Sequence, residues 1–297
     1  MKIGIGTVQF GLDYGISNQK GKISKEEVKG ILNVATQNGV RIIDTAAIYG
    51  NSEEILGKTL PHNHHLSIVT KTPRFSKDYI TNDDVRLMEE TFLKSLSKLK
   101  LSSVYGLLIH HADDLFVVNG HLLMEKMLDI KHRGLVEKIG VSVYTGEQID
   151  RVIDKYPIDL IQVPINVLDQ RLLISGHLLQ LKKAGIKIHA RSVFLQGLLL
   201  MEPKAVPSYF NPIREHLLKY REYLQAHDIS PLQYALQFVL QQPEIDTVLV
   251  GVCSATEVRE IVSCVKNISN SWSNYSDWAI NDERFLNPTL WRITLYD

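Results

Sequence analysis

Cysteine is nearly absent: Cys253 and Cys264 are the two in 297 residues. They are too few for a disulfide framework and too far apart for a CxxC metal pair. A reducing, cytoplasmic compartment is the simplest setting. No charge of one sign prevails either, since Lys plus Arg and Asp plus Glu both number 33 and the formal net charge is zero. Such a chain has no basic footprint for nucleic acid and no polybasic patch for a membrane surface. No apolar run reaches the roughly 18 residues of a transmembrane helix. The opening "MKIGIGTVQFG" lacks the apolar core and small-residue cleavage site of a signal peptide. Its glycines at 4, 6 and 11 do not fit the GxGxxG turn of a dinucleotide-binding open sheet.

What is there is alternation. Short β-branched runs at 2–6, 40–44, 66–71, 104–110, 136–142, 159–164, 186–192 and 246–251 read as strands. Helical patterns at 24–39, 51–60, 82–100, 120–133, 146–155, 170–184, 230–242 and 254–265 separate and follow them. In the first helix Ser24 is an N-cap, Glu27 stands three residues on, and Gly39 closes it. The strands are continuous apolar runs, as expected for a parallel sheet buried on both faces. Eight βα units point to an α/β fold, a single-domain (β/α)8 TIM barrel over 1–265. An open doubly wound sheet is the competing architecture. A long connection, 197–229, carries its own helix near 212–226, and a tail, 266–297, holds Trp272, Trp278 and Trp291. The tail is expected to pack on the barrel, its tryptophans serving as anchors or lining the substrate mouth.

Barrel enzymes place their sites at the C-terminal ends of the strands. Strand two ends at Asp44 with Tyr49 on the loop beyond, strand three at Lys71, and strand four at His110. Neighbouring strands bring these four to one mouth. Their chemistry is coherent: a free tyrosine is a weak acid, a lysine nearby would lower its pKa, and a carboxylate would hold the lysine charged. A histidine orients a carbonyl oxygen or shares the proton. Together they donate a proton to the oxyanion formed when a carbonyl takes up hydride.

In this order, "DTAAIYG", "VTK", "LLIHH", "IGVS", "IQVPIN", "ARSVFLQGLLL" and "VLVGV" resemble the aldo-keto reductase family over about residues 3 to 265. The resemblance implies a (β/α)8 barrel that reduces aldehydes and ketones with a nicotinamide cofactor, usually NADPH. It implies Tyr49 as general acid, with Asp44, Lys71 and His110 completing a tetrad. Ser142 and Gln162 would hydrogen-bond the nicotinamide carboxamide, with Thr7 close by. Ser192, Leu195, Gln196 and Gly197 would lie along the pyrophosphate. Gly251 and Glu257 fall on the cofactor side after the eighth strand. Four positions depart from the pattern. Val143 stands where Asn is usual after the serine, so one carboxamide hydrogen bond loses its expected donor. Arg191 occupies the position of a ring that stacks on the nicotinamide, a role Phe194 could take instead. His111 replaces a common Trp. Glu257 stands where a cation often holds the adenosine 2′-phosphate, which weighs toward NADH as the alternative cofactor.

Each residue alone has an ordinary reading: Asp44 as a loop acid, Tyr49 as a rim residue, Lys71 as a solvated amine. His110 and His111 could form a metal pair, but adjacent strand residues face opposite sides. No metal site is therefore expected. The second histidine cluster, "PHNHH" at 61–65, reads as a solvated loop. Cys253 reads as a small packing residue. The expected function is an NAD(P)H-dependent reductase of a small-molecule carbonyl, with a sugar-derived one favoured by the polar mouth. The rivals are a catalytically silent nucleotide-binding barrel acting through a protein partner, and a metal-dependent barrel hydrolase.

Overall fold

A computed structural model describes residues 1–18, 21–61, 65–267 and 274–292. His62, His64 and Trp272 lie outside the described residues. Eight parallel strands close into a barrel in chain order. They are β1 (Ile3–Gly6), β2 (Ile42–Asp44), β3 (Ser67–Lys71), β4 (Val104–Ile109), β5 (Val136–Ser142), β6 (Leu160–Pro164), β7 (Lys187–Arg191) and β8 (Thr247–Gly251). β8 pairs back onto β1 with Gly6 opposite Gly251, which closes the ring.

The apolar runs form strands because both their faces are covered. Val69, Leu108 and Leu160 fill the barrel interior as a small cluster separate from the main core. The outward residues pack against a ring of helices. Helix Lys25–Gln37 is capped by Ser24, whose Oγ accepts from the Glu27 amide, and buries Val28, Ile31, Leu32 and Ala35. Helix Asn82–Leu99 begins on a reciprocal Thr81–Asp84 capping box.

The structure divides one expected helix. The stretch near 170–184 is two pieces, Arg171–Ile174 and His177–Lys183, because Gly176 between them sits at φ 81°, outside the helical region. The connection after β7 adds short 3-10 turns at Leu195–Leu200, Pro203–Ala205 and Ser208–Ile213 before helix Arg214–Ala226. Among the described tail residues, Trp278 and Trp291 are packing contacts, and neither lines the cleft. Trp278 is buried, its Nε1 donates to the Tyr234 hydroxyl at 3.1 Å, and its ring meets Tyr220 and Tyr223. Trp291 packs edge-on against Phe210 at 4.9 Å, next to Pro288 and Thr289, which reach the mouth of the barrel.

Candidate active site

A cleft of about 670 Å³ opens where the strands end. Asp44 closes β2 and Lys71 closes β3, so parallel register sets them side by side. The Lys71 ammonium donates to Asp44 Oδ1 at 2.6 Å and to the Thr45 carbonyl at 2.8 Å. The other Asp44 oxygen accepts from Gln162 Nε2 at 2.8 Å. The Asp44 main-chain carbonyl accepts from the amide and the hydroxyl of Thr7. The pair is almost fully buried: side-chain exposure is 1% for Lys71 and 6% for Asp44. Lys71 therefore stands beneath the cleft floor, while Asp44, Thr7 and Gln162 line it.

Tyr49 sits on the tight turn after β2. Its carbonyl accepts from the Ser52 amide, which starts the next helix, Ser52–Thr59. Gly11 presses on this turn, and a Cβ there would stand 1.8 Å from the Tyr49 carbonyl oxygen. The Lys71 ammonium lies 5.0 Å from the centre of the Tyr49 ring. His110, just beyond β4, meets the ring edge-on at 5.8 Å. All four residues expected from the sequence are thus brought together.

Their electrostatics differ from the expectation in one respect. Burial pushes the Tyr49 phenol well above the ordinary tyrosine range, Asp44 adds to this, and Arg191 only partly opposes it. Lys71 does not bring it back into the ordinary range, because in the resting site its ammonium is paired with Asp44 at contact distance. The phenol faces a neutralised pair, not a free cation, and stays protonated. Burial also draws the Lys71 amine down from its usual value, with Asp44 opposing. His110 is pushed down to about 3 by burial, Lys71 and Arg191 in that order, so its ring is neutral. Its Nδ1 is buried without a hydrogen-bond partner, as is Gln9 Oε1 on the same cleft wall. His111 turns away, toward Asp113 and Asp114 at 3.6 Å. Among the described residues no group of three or more His, Cys, Asp or Glu side chains stands together to hold a metal ion.

Of the expected cofactor residues, Thr7, Ser142, Gln162, Arg191, Ser192, Gln196, Gly197, Gly251 and Glu257 line the cleft. Leu195 does not: its side chain is fully buried in the core. The loop that carries it is left-handed at Ser192, Leu195, Gln196 and Gly197, which turns Leu195 inward and leaves backbone facing out. Gly197 has φ 93°, and a Cβ on it would meet the Ser17 hydroxyl at 1.8 Å, so the 14–18 loop closes down on bare backbone. The Arg191 guanidinium reaches back across β6 to the Val143 carbonyl at 2.9 Å and lies 4.1 Å over the Tyr144 ring.

Several cleft residues were not legible in the sequence. Tyr144 directly follows the "IGVSV" run, and that adjacency was a usable signal. Tyr14, pushed up to about 12 by burial beside Tyr49 and Tyr144, comes from an irregular loop with no motif. Pro288 and Thr289 come from the tail.

Comparison with known proteins identifies the family and the fold. A family model described as the aldo/keto reductase family matches residues 2–277. The chain is 24% identical over 282 residues to the uncharacterized oxidoreductase YqkF of Bacillus subtilis, covering 87% of this chain and 85% of that one. It is 25% identical over 269 residues to L-galactose dehydrogenase of Arabidopsis thaliana, covering 84% and 81%. Among solved structures, the holo form of aldo-keto reductase AKR11C1 from Bacillus halodurans superposes with a TM-score of 0.74 at 20% identity, covering 91% and 88%.

Proposed function

Because the chain belongs to the aldo/keto reductase family, whose members are NAD(P)H-dependent oxidoreductases of small carbonyl compounds, we propose that it reduces a sugar-derived aldehyde or ketone to the alcohol with Tyr49 as proton donor. The observation that carries this is a buried phenol held protonated on the same cleft wall as a neutral imidazole, above a neutralised lysine–carboxylate pair.

A reduced nicotinamide supplies the hydride when bound. The residues fit such a group. Ser142, at the end of β5, stands opposite Gln162 of β6. The left-handed loop after β7 lines the cleft with Ser192, Gln196 and Gly197, polar groups and main chain suited to a long polar ligand. The buried Gln9 Oε1 and His110 Nδ1 await partners. Since Gln162 Nε2 is committed to Asp44, its carbonyl oxygen is the atom left to accept from a carboxamide. Val143 has no side-chain amide to donate, but the Arg191 guanidinium, held on the Val143 carbonyl, brings N–H groups to that place.

On the substrate side, His110 is neutral and orients the carbonyl oxygen toward the Tyr49 hydroxyl. As charge develops on that oxygen, Tyr49 gives up its proton. The Lys71 ammonium below the ring stabilises the phenolate left behind, and Asp44 fixes the ammonium for that moment. Tyr14, Tyr144, Gln9 and Thr289 give the mouth hydroxyl and amide groups suited to a polyol. The similarity to L-galactose dehydrogenase supports the sugar reading. A cytoplasmic setting, expected from the low cysteine content, is part of the same reading. Among the described residues no helix is long and apolar enough to cross a membrane.

The test is turnover of a panel of neutral sugar aldehydes and simple ketones, followed by loss of reduced-nicotinamide absorbance with a chelator present. Carbonyl-dependent loss supports the reading. Tight dinucleotide binding with no turnover on any carbonyl would point to a silent nucleotide-binding barrel instead.

A further inference from the structure

The cleft runs radially. Asp44, Tyr49, His110 and Gln162 stand at the mouth of the barrel, whereas Glu257 belongs to the first turn of the outer helix Ala255–Lys266. Gly251 and Cys253 line the path between them, and Ser17, Gln196 and Gly197 lie along the same cleft. A dinucleotide that presents its reactive ring to Tyr49 therefore sends its far end, the adenosine, toward Glu257.

That end is furnished for a donor, not for an anion. Glu257 Oε2 accepts from the Cys253 amide at 2.7 Å. Glu27, on the neighbouring helix Lys25–Gln37, accepts from the Ala255 amide through Oε1 at 2.6 Å. The Glu257 amide donates to Ser254 Oγ at 3.2 Å. Three of the backbone donors at this helix end, the Cys253, Ala255 and Glu257 amides, are already taken, two of them by carboxylates. Among the described residues no Lys or Arg forms an ion pair with Glu27 or Glu257. Among the described residues Arg191 is the one Lys or Arg on the cleft wall, and its guanidinium is turned to the opposite end, against Val143 and Tyr144. Arg259, two residues further along the same helix, is exposed and off the wall. A 2′-phosphate here would meet like charge without a counterion. A ribose 2′-hydroxyl is a donor, and a carboxylate is its stronger class of acceptor.

We infer that this cleft selects NADH against NADPH, with Glu257 as the selecting carboxylate and Glu27 holding the helix end that carries it. This rests on the reading of the cleft as a nicotinamide-dinucleotide site, and it reverses the NADPH expected from the family pattern.

The experiment is a fluorescence titration of the full chain, stripped of nucleotide, with NADH and with NADPH. Competition by 5′-AMP and by 2′,5′-ADP probes the adenosine end alone. NADH should bind about tenfold or more tightly than NADPH, from like-charge repulsion near the surface, and 5′-AMP should compete better than 2′,5′-ADP. Glu257→Gln keeps an acceptor for the Cys253 amide and should narrow the ratio by tightening NADPH. Glu257→Arg should invert it. The wild-type competition needs no variant, so a misfolded variant leaves the question answerable. Equal affinities, tighter NADPH, or a ratio unmoved by Glu257→Gln would overturn the inference while leaving the reductase reading in place. Binding of neither dinucleotide would remove both.

Discussion

Replacing Lys71 by methionine strands the Asp44 carboxylate inside the barrel, and replacing Asp44 by leucine strands the Lys71 ammonium. The two groups meet at 2.6 Å with side-chain exposures of 1% and 6%, so neither can reach water for compensation. Breaking one side of such a pair costs about 3–5 kcal/mol. For 297 residues the unfolding entropy is about 0.6 kcal/mol/K, so each single variant should lose about 5–8 °C in Tm. The double variant Asp44→Leu/Lys71→Met removes both charges together. What remains unpaired is the Gln162 amide and the Thr45 carbonyl, at about 1–3 kcal/mol each. The double should therefore cost about 2–6 kcal/mol, short of the roughly 6–10 kcal/mol to which the singles sum. Denaturant unfolding of the wild type, both singles and the double reads this directly. Turnover should be lost in the two variants without Lys71, where the phenolate has no ammonium, and lowered in Asp44→Leu, where the ammonium is no longer held in place. Singles that add to the double would mean the pair is not coupled in the fold, and the account of a neutralised pair beneath Tyr49 would fail with it.

Further predictions concern the site and its pH dependence. Burial holds the Tyr49 phenol above its usual range, so the rate of carbonyl reduction should stay flat from neutral to moderately alkaline pH. Alcohol oxidation, which needs the phenolate, should rise with pH instead; a reduction rate that falls well below pH about 10 would contradict this. Buried His110 and His189 are pushed down to about 3 and about 4. The unfolded chain takes up their protons near pH 6.5, whereas the fold refuses them until far lower. Stability should thus fall as pH drops from about 6.5 toward 4, by up to about 1.4 kcal/mol per pH unit for each histidine. His189→Leu should flatten that slope, measured as unfolding free energy against pH, and an unchanged slope would assign the acid sensitivity elsewhere. Gly11→Ala forces a Cβ onto the Tyr49 carbonyl. Displacing the turn by about 1 Å should lower kcat about 100-fold while leaving the dinucleotide Kd near wild type.

The barrel was legible because the strands are short, largely apolar runs and some of the helices between them carry clear caps, as Ser24 and Thr81 illustrate. The tetrad was legible for a related reason. Once Asp44, Lys71 and His110 fall at consecutive strand ends, parallel pairing leaves them no choice but one mouth. Other features depended on packing that no local pattern encodes. The direction of the Tyr49 shift turned on which neighbour claims the Lys71 charge, and only the 2.6 Å contact with Asp44 decides that. Leu195 turned into the core because the backbone around it is left-handed, a conformation its residue type does not announce. Tyr14 and Thr289 reach the cleft from segments far apart in the chain, so their meeting is a property of the closed barrel. Gly176 was the visible exception, a left-handed glycine that could have marked the break between the helices on either side.

The central claim is that the Tyr49 hydroxyl delivers the proton. Tyr49→Phe removes that oxygen and keeps the ring between Lys71 and His110. Turnover and dinucleotide titration of this variant, side by side with wild type, test the claim most directly. The account predicts an unchanged dinucleotide Kd with kcat reduced by about 100- to 10,000-fold. A variant that reduces carbonyls at the wild-type rate would contradict it.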